Sequence, residues 1–131
     1  MPERSKGVDD LLAEARRDLD RLSPEEALEA TREGAALIDI RSESQRAADG
    51  LIPAAAYIPR NVLEWRLDPE CEHRDPELAR AGLRLIVVCN EGCQSSLAAA
   101  TIRRFGLEAT DVIGGFRAWR NAGLPIERGA G

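Results

Sequence analysis

The apolar run Leu85-Ile86-Val87-Val88 ends on Cys89 and opens into Asn90-Glu91-Gly92-Cys93-Gln94-Ser95-Ser96, with a helical stretch expected from Leu97 to Phe105. This order sets a thiol at the end of a buried strand, inside a short turn that feeds a helix N-terminus. Backbone N–H groups in such a turn point inward, and the helix dipole adds partial positive charge. Both favour negative charge on the sulfur, and the thiolate is the nucleophilic form of cysteine. The predicted chemistry is attack by Cys89 from within a cup, Asn90 to Ser95, that can bind an anion. Cys93 lies in the same loop. It is either a filler of its position or a resolving thiol that closes a disulfide with a modified Cys89.

The surrounding elements must hold that loop. Val8, Leu11, Leu12, Ala15, Leu19 and Leu22 make one helical stripe, with acids and arginines on the opposite face. The expected place for this N-terminal helix is against the domain's own core. Ser23-Pro24-Glu25-Glu26 is a capping box with proline at the first helical position, and Gly34 ends the helix it starts. Ala35 to Ile40 is apolar on successive residues, as buried parallel strands are, with Asp39 and Arg41 at its C-terminal end. These two are expected to support the loops by hydrogen bonding. Short helices are predicted from Ser42 to Ala48, from Asn61 to Leu67 and after Asp75-Pro76-Glu77. Further strands are predicted at Ala55–Ile58 and Glu108–Ile113. Gly114-Gly115 turns the chain into a last helix holding Trp119, which Gly123 ends. Strands alternating with helices predict an α/β domain, with a mainly parallel central sheet and helices on both faces.

The chain has 131 residues, 44% of them apolar, which suits one domain with a core of its own. A net charge of −5 without a basic block argues against nucleic acid or an anionic membrane as partner. No stretch is long and apolar enough to span a bilayer, and the N-terminal residues do not read as a secretory signal, so the cytoplasm is the expected location. Three cysteines, at 71, 89 and 93, do not make a secreted disulfide framework. Cys71 and His73 with Cys89 and Cys93 would give an uncommon metal-ligand spacing, so neither a metal nor another cofactor is expected.

Four landmarks together resemble rhodanese-like domains. Leu37-Ile38-Asp39-Ile40-Arg41 resembles their first strand motif, and Gly50-Leu51-Ile52-Pro53-Ala54-Ala55 their Gly-His-Ile-Pro-Gly-Ala turn. Cys89-Asn90-Glu91-Gly92-Cys93-Gln94-Ser95 is similar to their Cys-x-x-Gly-x-Arg-Ser loop. Gly114-Gly115-Phe116-Arg117-Ala118-Trp119 matches their closing Gly-Gly-x-x-Ala-Trp. The resemblance implies a three-layer domain over residues 23–127, preceded by the N-terminal tail and helix (1–22) and followed by a short tail (128–131). It implies a sulfurtransferase in which Cys89 carries sulfane sulfur as a persulfide. The donor would be thiosulfate, a small persulfide or a protein persulfide, and the acceptor a thiophile such as cyanide or a protein thiol.

The departures bear on the donor. Leu51 and Ala54 replace a family histidine and glycine. Gln94 replaces the loop arginine that helps hold anionic thiosulfate, and Glu91 adds a carboxylate. Arg60 and Arg66, flanking a segment expected to line the pocket, are candidates to compensate, and Phe116 is a candidate pocket wall. A related fold carries phosphatases with a Cys-x-x-x-x-x-Arg loop, whose arginine clamps the phosphate. Ser95 stands at that arginine's position here, which argues against phosphatase chemistry. Two other readings stay open: a sulfur-relay or regulatory module with little small-molecule turnover, and a Cys89/Cys93 redox switch.

Overall fold

The computed structural model describes residues 7–128. The loose segment expected at 1–7 and the tail at 128–131 fall outside that range, apart from Gly7 and Arg128. Four parallel strands form the sheet: β1 (Ala36–Asp39), β2 (Ala56–Tyr57), β3 (Leu85–Val88) and β4 (Ala109–Asp111), in the order β2-β1-β3-β4. Because all strands run the same way, the ends of β1, β3 and β4 lie along one edge. Asp39, Cys89 and Asp111 therefore share that edge, where open α/β sheets keep their sites.

The alternation along β3 divides the core. Leu85, Val87 and Cys89 pack on one face with Ile38, Leu63, Leu67, Ala98 and Ile102. Ile86 and Val88 pack on the other with Leu37, Ala27, Phe116 and Trp119. The first face is covered by α4 (Leu63–Leu67) and α5 (Gln94–Arg103), the second by α2 (Pro24–Arg32) and α6 (Gly115–Asn121). This is the three-layer arrangement expected from the alternation of elements. Helix α2 begins as predicted: Ser23 Oγ accepts the Glu26 N–H at 3.1 Å, and Glu26 Oε1 accepts the Ser23 N–H at 2.9 Å.

Three elements differ from expectation. Helix α1 (Val8–Arg16) stops well before Leu22. Leu22 instead bridges Val112 beside β4, accepting from Ile113 N–H and donating to Asp111 C=O. The apolar spacing continued past the helix because Leu19 packs on the core and Leu22 on the sheet edge. Helix α5 starts at Gln94 rather than Leu97, so the loop itself supplies its first turn. After Asp75 a single turn forms, with Leu78 and Ala79 N–H groups donating to Asp75 C=O, and no helix follows. The few residues between that turn and β3 include Gly82, at φ +87°, which redirects the chain into the strand.

Helix α3 (Glu43–Asp49) follows β1, and a 3-10 turn (Arg60–Val62) leads into α4. Helix α1 packs along α5. Among the described residues no helix is long and apolar enough to cross a membrane.

Candidate active site

Val88 and the preceding residues of β3 are fully buried, and the chain leaves the sheet at Cys89, itself only 5% exposed. Its Sγ accepts two backbone hydrogen bonds, from Gly92 N–H at 3.1 Å and from Ser95 N–H at 3.3 Å. Both donors belong to the turn that becomes α5, so the loop wraps the sulfur with N–H groups. Donors in this geometry stabilise charge on sulfur better than they stabilise a neutral thiol.

The loop is closed from behind by the glycine pair. Phe116 N–H donates to Cys89 C=O at 2.8 Å, and Arg117 N–H to Asn90 C=O at 3.1 Å. A side chain on Gly115 would collide with Cys89 C=O, and one on Gly92 would lie 2.6 Å from Gly114 N. The two backbones can approach this closely only because neither residue carries a Cβ. Phe116 is fully buried; its main chain touches the loop, while its ring lies under the Arg41 guanidinium, 3.9 Å from ring centre to Cζ.

Asp39 and Arg41 form a buried pair at 2.9 Å, and Arg41 Nη2 also donates to Gly50 C=O at 2.7 Å. Arg46 adds a contact to Asp39 at 3.3 Å and lies over the Tyr57 ring. Burial, with Glu43 second, pushes the Tyr57 phenol above its ordinary value. This cluster ties the end of β1 to the turn after α3 and to the closing helix.

Arg60 and Gln94 both line a cleft of about 330 Å³, together with Ile40, Arg41, Ser42 and Asn61. Arg60 is paired there with Glu64 at 2.8 Å. Arg66 does not line this cleft: it donates to His73 C=O at 2.7 Å and lies 4.0 Å from Asp75. Glu91 is exposed and paired with Arg117 at 2.9 Å, so the carboxylate the loop contributes meets a cation from α6. Cys93 is exposed at the start of α5 and Cys71 half-buried; all three cysteines are free thiols. Among the described residues no group of His, Cys, Asp or Glu could hold a metal ion.

The sequence reading missed a second set of residues. Asp111, fully buried at the end of β4, accepts from Ser95 Oγ at 2.7 Å, Ser96 Oγ at 2.8 Å and Arg21 Nε at 2.9 Å. Arg16 and Arg21 also reach the loop carbonyl of Gly92, at 2.8 and 2.9 Å. An acid inside the strand expected at Glu108–Ile113 was a signal for Asp111. No local pattern marks the two arginines, which join the loop across more than seventy residues of chain.

The Rhodanese-like domain model matches residues 23–122, most of the chain. The chain belongs to the rhodanese-like domain family. The solved structures similar to this rhodanese-like domain include a protein of unknown function from Rhodopseudomonas palustris, described as a possible tyrosine phosphatase. It is 32% identical with a TM-score of 0.86, the match covering 97% of this chain and 99% of that one. A thiosulfate sulfurtransferase from Pseudomonas aeruginosa is 26% identical with a TM-score of 0.68, over 85% of this chain and 20% of its own. A rhodanese-related protein from Thermoplasma volcanium, 21% identical with a TM-score of 0.65 over 81% and 95% of the two chains, shares the fold. No curated protein matches the chain.

Proposed function

We propose that this rhodanese-like domain transfers sulfane sulfur through a persulfide on Cys89. The observation that carries the reading is the sulfur itself, at the end of β3 and holding two backbone N–H donors from the loop. The Cys89 thiolate attacks the sulfane sulfur of a donor, and the donor's S–S bond breaks. Sulfite leaves if the donor is thiosulfate, and a thiolate leaves if it is a persulfide. The outer sulfur then carries the negative charge inside the donor cup. An acceptor nucleophile attacks it, the Cys89–S bond breaks, and the thiolate returns. The two half-reactions balance without an external oxidant or reductant.

The loop argues for a donor other than thiosulfate. Gln94 brings no charge, Arg60 is already paired with Glu64, and Arg66 is tied to the His73 carbonyl. A small persulfide or a protein persulfide needs contact with its organic part rather than a dianion clamp. The description of one similar structure as a possible tyrosine phosphatase favours a second reading. Against it, Ser95 occupies the clamp position, and its hydroxyl is committed to Asp111.

Intact mass after incubating the reduced protein with thiosulfate, or with an alkyl persulfide, tests the proposal. The expected result is a gain of one sulfur that Cys89→Ser abolishes and Cys93→Ser does not, with the persulfide the faster donor. Gln94→Arg should raise loading from thiosulfate selectively. No sulfur gain from either donor, or turnover of an aryl phosphate, would refute the proposal.

A further inference from the structure

The loop's geometry does not come from the family-matched residues alone. The Gly92 carbonyl accepts from Arg16 Nη2 at 2.8 Å and Arg21 Nη2 at 2.9 Å, with Ser96 Oγ at 3.4 Å. Both arginines lie outside residues 23–122, Arg16 at the end of α1 and Arg21 beside the β4 edge. Each is fixed by a second contact: Arg16 Nε donates to Ser96 Oγ at 2.9 Å, and Arg21 Nε to the buried Asp111 carboxylate at 2.9 Å. Two guanidinium groups on one peptide oxygen are an uncommon concentration of charge for a carbonyl.

We propose that Arg16 and Arg21 are positioning residues that set the Gly92–Cys93 peptide for sulfur transfer. The inference rests on the persulfide reading. A trans peptide turns its C=O and N–H to opposite sides. Drawing the Gly92 carbonyl toward the N-terminal segment therefore aims the Cys93 N–H the other way, and no acceptor among the described residues takes that N–H. It is one of the loop donors, with Gln94 N–H, left available to the outer sulfur, while Gly92 and Ser95 N–H groups hold Sγ. Cationic donors on the carbonyl also polarise the peptide and strengthen the opposite N–H as a donor. The arginines touch neither sulfur; they act through the peptide.

The early end of α1 has a purpose on this account. Had the helix run on to Leu22, Arg21 would not follow the β4 edge to Asp111, and the second anchor would be lost. The N-terminal segment is then part of the active centre, and the family-matched region alone is an incomplete site.

Arg16→Ala, Arg21→Ala and the double variant test this, each checked for a native circular dichroism spectrum. Sulfur loading should slow about tenfold in each single variant and about a hundredfold in the double, the size expected when a catalytic group is misaligned. The loss should be equal for thiosulfate and for an alkyl persulfide, and low-millimolar methylguanidinium should restore part of it. The Gly92 carbonyl resonance should move in the double variant and return with methylguanidinium. If Arg21→Ala does not fold, Arg16→Ala/Arg21→Lys keeps a charge beside Asp111 and tests the same carbonyl.

A folded double variant that loads sulfur at the wild-type rate would overturn the proposal. So would a loss confined to thiosulfate, which would make the arginines anion ligands. Wild-type protein that takes no sulfur, with a Gly92 resonance that still responds, would remove the persulfide reading and leave the anchoring intact. A resonance that does not respond removes the anchoring.

Discussion

Gly115→Ala is the sharpest test of how the closing helix holds the loop. At φ +62° an alanine adopts a backbone that costs it about 1 kcal/mol relative to glycine. Its Cβ would meet Cys89 C=O, and would lie 2.8 Å from both Asn90 C and Gly92 N, all main-chain atoms of the loop. None of these can swing aside as a flexible side chain would, so α6 must retreat. That retreat stretches the Phe116 and Arg117 N–H bonds to Cys89 and Asn90, a loss of about 1 kcal/mol each. It also loosens Phe116 and Trp119, both fully buried, at about 1 kcal/mol more. The sum is about 4 kcal/mol, a large share of the roughly 5–15 kcal/mol a domain possesses. Urea unfolding should show it as a lower midpoint, and calorimetry as a melting temperature about 10–15 °C lower. Sulfur loading should fall even in the fraction that remains folded, because the loop moves with the helix. A loss under about 1 kcal/mol with unchanged loading would refute the packing argument.

Asp111→Asn should destabilise the protein by about 3 kcal/mol in denaturant unfolding, since a fully buried charge that answers Arg21 and two serine hydroxyls is replaced by a neutral amide. A change within error would mean that the network contributes nothing. Ser23→Ala should lose about 1 kcal/mol at neutral pH through the lost cap of α2. The Ser23 backbone N–H, then its hydroxyl, hold the Glu26 carboxyl below its ordinary value of 4.5. A depressed folded-state value stabilises the protein above the unfolded value and loses that effect as pH falls through the folded one. The gap between wild type and Glu26→Gln should therefore be present at neutral pH and close below about pH 4. A gap independent of pH would show that the capping bond does not depend on the carboxylate.

The parts of the site that depend on neighbours in sequence were legible in the chain. The unbroken apolar run of β3, the turn at Cys89, the capping box at Ser23 and the glycine pair before Phe116 each reflect short-range rules of burial, capping and backbone freedom. The Asp39–Arg41 pair was legible for the same reason: only Ile40 separates the two charges, and the strand end turns them toward the loops. Where short-range rules gave way to tertiary demands, the reading slipped. Leu19 and Leu22 continued a helical spacing, yet β4 offered Leu22 an unpaired edge, and the backbone bonds made there ended α1 early. Asp75 opens a single turn, closed by the Leu78 and Ala79 N–H groups, and the chain then runs without a helix into β3.

By itself the sequence determined the order of elements, the place of Cys89 in the turn after β3 and the uncharged side chain at Gln94, because these follow from residue type and adjacency. The tertiary structure alone decided which charges meet the loop. Arg66 is bound elsewhere, Arg60 and Glu91 have partners, and Arg16 and Arg21 converge on the Gly92 carbonyl. Electrostatic pairing acts over a few ångströms of space, and only the packing of α1 on α5 and of Leu22 on β4 brings those distant residues within that range.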